Sequence, residues 1–187
     1  MKHLLFGLIC FFIFQSCQNP ADTAASNGYF DLKGFISNQI TELNKRKPLV
    51  VKEMAMGNNN DKKQTSDIDW AKELELFIQA DLNKQAYQLS YDVIHPTPTT
   101  SLYLLKSGEK LPVKSLKIIV DEASKLPGSV EALIKTENKL YDSEKLISLT
   151  CTRRPEGVWL VKTYEIRGFQ QLALSEKKAF SIKGNLQ

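Results

Sequence analysis

The sequence has few of the residues on which enzyme and metal sites depend. It contains only two histidines, His3 and His95, and three cysteines, Cys10, Cys17 and Cys151. It has no CxxC pair, no HExxH, no glycine-rich phosphate loop and no GxSxG. These absences argue against zinc proteases, nucleotide hydrolases and serine hydrolases of the usual kinds. We therefore predict no metal site and no cofactor, and we expect a protein that is not an enzyme.

The sequence also lacks a dense block of positive charge. The formal net charge of the 187 residues is +4, and the largest basic cluster is the stretch NKRK at 44–47. A cluster this short is typical of a helix end, where cations interact favourably with the helix dipole. It does not make a nucleic-acid surface. The sequence therefore predicts no nucleic-acid partner.

One apolar run is present, and it is short. Residues Leu4 to Phe14 form an unbroken apolar stretch of 11 residues behind the basic Lys2. A helix that spans a membrane needs about 20 residues, so this stretch has the length of a signal-peptide core instead. Cleavage after Ser16 would place Phe14 at the −3 position, which suits an ordinary signal peptidase poorly.

The four residues Phe14, Gln15, Ser16 and Cys17 resemble the lipobox of bacterial lipoproteins. Ser16 and Cys17 match its last two positions, whereas Phe14 and Gln15 depart from the usual leucine and small residue. In that family the cysteine thiol receives a diacylglycerol, the leader is cut before it, and the new amine is often acylated. The resemblance covers residues 1–17 and implies that Cys17 carries acyl chains such as palmitate.

Two or more acyl chains hold a protein firmly on a membrane, because each buried methylene contributes about 0.8 kcal/mol. The resemblance therefore implies a lipid-anchored protein of the cell envelope. Gln18, where some bacteria use aspartate as a retention signal, favours the outer membrane with the domain facing the periplasm. The competing interpretation is an ordinary signal peptide with an incidental cysteine.

Composition divides the chain into three parts. Residues 1–16 are the predicted signal peptide. Residues 17–28 are the lipidated cysteine and a flexible tether, because no large apolar side chain occurs in this stretch after Cys17. Residues 29–187 are predicted to form a single domain of ordinary size.

Two helices are predicted at the start of this domain. Leu32, Ile36, Ile40 and Leu43 recur every three or four residues within 29–48, which is the pattern of an amphipathic helix that packs on a sheet. A helix lying on the membrane is the alternative, but the acidic residues on its polar face disfavour it. A second helix is predicted over 67–84, capped by Asp67 or Asp69. Its buried face consists of Trp70, Leu74, Phe77 and Ile78.

The rest of the domain alternates between apolar and polar residues, as strands do. Strands are predicted at 49–56, 86–94, 102–106, 113–122, 130–141, 145–153, 158–169, 171–175 and 179–186. The 130–141 stretch also suits a helix, and the polar stretch 57–67 is interpreted as a hairpin or connecting loop. Short turns between successive strands indicate an antiparallel meander. The predicted fold class is α+β, with two N-terminal helices packed on a largely antiparallel meander sheet.

Few side chains qualify as site residues. Cys151 and His95 are the only pair that could form a Cys–His dyad, but Cys151 lies in an alternating strand, where a buried and inert thiol is expected. Asp67 and Asp69 are too close along the chain to flank a sugar bond, and capping explains them. Trp159 points away from Leu160 in its strand. It is a weak ligand-binding candidate if only one face of that strand is buried.

The sequence thus favours a membrane-anchored envelope lipoprotein with a non-catalytic binding or scaffolding domain. Its expected partners are the membrane, through the lipid on Cys17, and an envelope protein or an apolar ligand. The main alternative is a carrier or chaperone for an apolar ligand such as a lipid, which needs a hollow beneath the 29–47 helix. An envelope hydrolase is the third hypothesis, and clustered acids in a cleft would support it.

Overall fold

The computed structural model describes residues 28–187. The predicted signal peptide, Cys17 and the tether up to residue 27 lie outside the described residues. The first helix, α1, spans Leu32–Arg46. It begins where the Asp31 carboxylate accepts the Gly34 N–H at 2.8 Å, and it ends at Lys47, which has a left-handed backbone (φ 47°). The prediction of this helix is confirmed.

The second predicted helix is broken into short pieces. Residues Trp70–Glu73 form α2 and Glu75–Gln79 form α3, and a 3-10 turn follows at Gln85–Tyr87. Asp69 caps α2 by accepting the Lys72 N–H at 3.2 Å, as one of the two predicted capping residues. The single helix predicted over 67–84 is wrong, because Leu74 leaves the helical conformation between α2 and α3.

Nine antiparallel strands form one continuous sheet. Their order across the sheet is β2-β1-β9-β8-β7-β6-β5-β4-β3, so β3 to β9 form a meander and β9 then pairs with β1. The strands are β1 Val50–Met56, β2 Asn59–Thr65, β3 Tyr91–Thr97, β4 Thr100–Leu105, β5 Val113–Val120, β6 Pro127–Glu137, β7 Tyr141–Arg153, β8 Trp159–Leu172 and β9 Lys178–Leu186.

The predicted α+β class is therefore wrong. The described chain is dominated by its sheet and is only 17% helical, so it is not built as two helices on a meander. Part of the error lies in β2, whose residues 59–64 are all exposed and leave no apolar alternation to detect. Another part lies in β3, which begins at Tyr91 and continues through Pro96, whereas the predicted strand spans 86–94. Proline is tolerated in β3 because β3 is an edge strand.

The two faces of the sheet differ. On the covered face, which packs on the helices, Leu116, Ala132 and Ile147 stand opposite one another in adjacent strands and are buried. Leu32 and Ile36 of α1 are completely buried in the same core. The other face, called the open face, carries exposed charges such as Lys117 and Glu131.

The connections between strands leave the sheet at two ends. We call the end with the β1–β2, β4–β5, β6–β7 and β8–β9 connections the hairpin end, and β3 also starts there. Within residues 28–187, none of the helices combines the length and the apolar character that crossing a membrane requires.

Candidate binding groove

An apolar groove lies where β1 pairs with β9. Met54 stands opposite Ile182, and Met56 stands opposite Phe180. These four side chains line a depression of about 340 Å³, to which β2 contributes Asn59, Asn60 and Asp61. Because alternate residues of a strand share a face, the four apolar residues lie on the face of Val50, which is buried in the core. We call this depression the methionine groove.

The groove has the composition of a binding surface. Met56 is 51% exposed, although it lies on the covered face of the sheet. Met54 and Met56 are the only methionines of the chain besides Met1. Methionine is flexible and polarisable, so a surface that carries it adapts to differently shaped apolar partners. The volume of the groove is at the lower end of the range for small-ligand sites.

A second depression of about 350 Å³ lies behind the groove on the open face. Here Lys62, Glu53, Lys183 and Glu165 stand side by side across four strands. The Lys62 ammonium lies 2.8 Å from the Glu53 carboxylate. The hydrogen bond and the charge of Lys62 lower the pKa of Glu53. Opposite charges stand next to one another along this row, which supports strand register.

A polar cluster ties the helices to this part of the sheet. Glu73 of α2 accepts the Tyr164 hydroxyl at 2.7 Å with one carboxylate oxygen, and its other oxygen lies 2.6 Å from the Lys52 ammonium. The Lys52 and Glu73 side chains are each only 13% exposed. Burial, together with the hydrogen bond and charge of Glu73, raises the pKa of Tyr164 far above its usual value. The phenol therefore stays protonated and donates to the carboxylate throughout the physiological range.

A buried glutamine fixes α1 against β8. The pairing of β8 with β9 ends at Thr163, so Trp159 and Val161 have no β9 partner, and a one-residue bulge between β7 and β8 lies beside them. The Gln39 side chain accepts the Val161 N–H at 2.9 Å and donates to the Trp159 carbonyl at 3.2 Å. Gln39 is only 5% exposed. Its role at this bulge is structural.

The predicted site residues do not come together. Cys17 lies outside the described residues. Trp159 is half-buried, packs against the core, and donates its indole N–H to the Pro127 carbonyl at 2.9 Å. Cys151 lies on β7 and His95 on β3, so four strand spacings, or about 19 Å, separate them. The two residues therefore do not form a dyad.

The thiol of Cys151 is structural, as predicted. Cys151 belongs to the buried core and is only 8% exposed. Burial raises the pKa of its thiol to about 12. A thiol in that state carries almost no thiolate at neutral pH and is a poor nucleophile. No group of three or more metal-binding side chains occurs among residues 28–187.

The methionine groove was not identified from the sequence. Its β1 half shows a signal, since Met54 and Met56 follow Val50 and Lys52 on one face of a predicted strand. Its β9 half had no such signal, because the pairing of β9 with β1 joins segments more than 120 residues apart. Comparison with known proteins adds nothing to this site: no family model, no curated protein and no solved structure matches the chain.

Proposed function

We propose that the protein is a lipid-anchored, non-catalytic binding protein of the cell envelope that recognises its partner through the methionine groove. The observation that carries the binding role is the groove itself, with the half-exposed Met56 opposite Phe180. The anchor rests on the sequence around Cys17. The outer membrane, with the domain facing the periplasm, is the proposed location.

The charges around the groove favour binding over catalysis. Asp61 is the only ionisable side chain that lines it. On the covered face, the Lys52, Glu73 and Tyr164 side chains bond one another. A hydrolase would instead need an acid and a base facing the same cavity.

A carrier of an apolar ligand is the second candidate, and the apolar lining of the groove favours it. The hollow that a carrier was expected to have beneath α1 is occupied, because Leu32, Ile36 and Leu43 are completely buried there. A carrier of this fold would therefore hold its ligand in the methionine groove, at the end of the sheet.

The proposal can be tested by photo-cross-linking in the intact cell. A photoreactive phenylalanine analogue replaces Met56 in the full chain, and a control chain carries it at Leu126, which is 41% exposed at the opposite end of the sheet. We expect a defined adduct at position 56 that is absent at position 126. A protein adduct supports the binding role. A lipid adduct supports the carrier if it is absent when the analogue replaces Leu174, which is exposed at the same end of the sheet but lies outside the groove. Equal, non-specific labelling at both positions would contradict a binding role for the groove.

A further inference from the structure

The most exposed apolar side chains of the described residues lie at one end of the molecule. Five of them are more than half exposed: Met56 (51%), Leu89 (83%), Leu140 (73%), Leu172 (60%) and Leu174 (109%). All five lie in or next to the connections of the hairpin end. At the opposite end the exposed apolar residues are Leu49 and Leu126, each at 41%. Large apolar side chains exposed together at one end usually mark an interaction surface.

Two of these leucines occupy backbone positions that disfavour leucine. Leu89 (φ 60°) and Leu174 (φ 64°) have left-handed conformations. Leu89 is the third residue of a tight turn in which the Ser90 N–H bonds the Tyr87 carbonyl at 3.2 Å. Leu174 holds the equivalent place in the turn that the Ser175 N–H closes on the Leu172 carbonyl at 3.0 Å. Glycine or asparagine is favoured at such positions, so folding alone does not explain these leucines.

The connections that carry the leucines touch one another. The Ala173 N–H donates to the Leu140 carbonyl at 2.9 Å, which joins the β8–β9 and β6–β7 connections. The Lys135 N–H donates to the Pro112 carbonyl at 2.9 Å, which joins β6 to the β4–β5 connection. The Lys106 N–H then reaches the Ser90 carbonyl at 2.9 Å, beside Leu89. The hairpin end is therefore one continuous surface.

Lysines alternate with the leucines on this surface. The β4–β5, β6–β7 and β8–β9 connections carry Lys106, Lys110, Lys139 and Lys177 against Glu109 and Glu176, and the adjoining strand ends add Lys178 and Glu137, so lysines outnumber acids. Exposed leucines with lysines in the same connections match the boundary of a bilayer, where apolar side chains enter the acyl region and ammonium groups meet phosphates.

The described chain also begins near this end. The Tyr29 hydroxyl accepts the Tyr91 N–H at 3.3 Å, and Tyr91 is the first residue of β3, which starts at the hairpin end. Ten residues, 18–27, separate Gly28 from the lipidated position, which leaves eleven Cα–Cα steps between Cys17 and Gly28. They reach at most about 36–40 Å, which exceeds the roughly 24 Å that five strand spacings put between β3 and β8. A lipid anchor on Cys17 is therefore compatible with contact between the whole hairpin end and the same membrane.

We propose that the hairpin end is a membrane-contact surface: Leu89, Leu140, Leu172 and Leu174 insert into the outer part of a bilayer, and the neighbouring lysines bind its anionic head groups. This inference rests on the proposed lipid anchor for its orientation. It places the opening of the methionine groove close to the bilayer, since Met56 belongs to both.

Depth-dependent quenching of tryptophan fluorescence tests this surface. The full chain, purified from a bacterial host, is reconstituted in vesicles of phosphatidylethanolamine and phosphatidylglycerol with brominated acyl chains. A Leu174→Trp variant reports the hairpin end, and Leu126→Trp reports the opposite end. The native Trp70 and Trp159 are present in both variants, so the difference in quenching between the variants comes from the added tryptophan. We expect at least twofold stronger quenching of the added tryptophan at position 174.

A second variant separates membrane contact from folding. The double variant Leu89→Gly/Leu174→Gly places glycine at two positions with a left-handed backbone, which glycine adopts without strain. The melting temperature should therefore stay unchanged or rise. A Leu140→Trp reporter in that background should lose at least half of its quenching by brominated lipid. Retained quenching in this background would show that the two leucines do not insert.

The outcomes distinguish this surface from the anchor. A chain that sediments with the vesicles but is quenched equally at positions 174 and 126 keeps the anchor and overturns the contact surface. If the purified chain, with Cys17 intact, carries no lipid and is still quenched at position 174, the contact surface is supported and the anchor is overturned. A chain that does not associate with the vesicles at all overturns both.

Discussion

Tyr164 of β8 and Gly184 of β9 are paired in register, and the phenol ring of Tyr164 lies against the Gly184 backbone where a Cβ would have to be. In this position the Tyr164 hydroxyl donates to the Glu73 carboxylate of α2 at 2.7 Å. The Tyr164 ring also packs edge-on against the Trp70 ring, with the ring centroids 6.2 Å apart. Because Gly184 has no Cβ, Tyr164 can pack across β9 and bond α2.

Gly184→Ala should therefore displace the Tyr164 ring and destabilise the protein. We expect a loss of about 1–3 kcal/mol in the free energy of unfolding, typical of overpacking in a core. Gly128→Ala is the matched control, since a Cβ on β6 would meet its neighbours only at ordinary contact distances of 3.7 Å or more. Chemical denaturation of both variants measures the difference. Equal stability of the two would show that the Tyr164 ring yields without cost.

The ion pair between Lys52 and Glu73 should behave as a coupled pair. Lys52→Met alone or Glu73→Leu alone leaves a mostly buried charge without its partner and should cost about 3 kcal/mol. The double variant should recover much of that loss, because two apolar side chains then pack where two charges stood. A double-mutant cycle of unfolding free energies measures the coupling. Additive single losses would contradict it.

The helix α1 should depend on Ile36 more than on Ile40. Ile36 is completely buried, whereas Ile40 is only half-buried, although the helical periodicity predicts both on the packed face of α1. Ile36→Ala should cost about 2–5 kcal/mol, as truncations in packed cores do, and Ile40→Ala should cost less. Thermal unfolding of the two variants provides the comparison. A larger loss for Ile40 would contradict the packing described here.

The sequence predicted those parts of the fold that alternation or helical periodicity marks. It located α1, most of the strands, the cap at Asp69 and the buried Cys151. It missed β2, because a polar strand held by backbone hydrogen bonds to β1 has no apolar period. It also missed Gln39, since the need for a buried amide arises where β8 extends beyond its pairing with β9, which only the assembled sheet shows.

The methionine groove could not be predicted from the sequence for a related reason. The position of Trp159 in its strand indicates a ligand-binding candidate, but its indole N–H donates to the Pro127 carbonyl. The methionine groove instead depends on Phe180 reaching Met56 across the pairing of β9 with β1. That pairing closes a long loop in the chain, and local patterns carry no information about it.

Cys151 should make stability depend on alkaline pH. Its pKa is about 12 in the folded protein and roughly 8.5 in an unfolded chain, so the folded state holds the proton more tightly between these values. Stability should therefore fall as pH rises above about 8.5, by about 2 kcal/mol near pH 10.

Denaturation of the wild type and of Cys151→Ser across pH 8 to 10 checks this dependence. The variant should be less stable by about 1–3 kcal/mol at pH 7 and should lack the additional loss as pH rises in this window. The native thiol should also react slowly with a bulky reagent at pH 8. Fast labelling of the folded protein would show that Cys151 is accessible.

Metabolic labelling with radioactive palmitate tests the central claim, lipid anchoring through Cys17, most directly. The full chain and its Cys17→Ser variant are expressed in a bacterium, and label, processing and membrane fractionation are followed together. The account predicts that the wild type takes up label and fractionates with the membrane, and that the variant takes up none and remains uncut or becomes soluble. A wild-type protein that is processed and soluble without any label would contradict the lipid anchor.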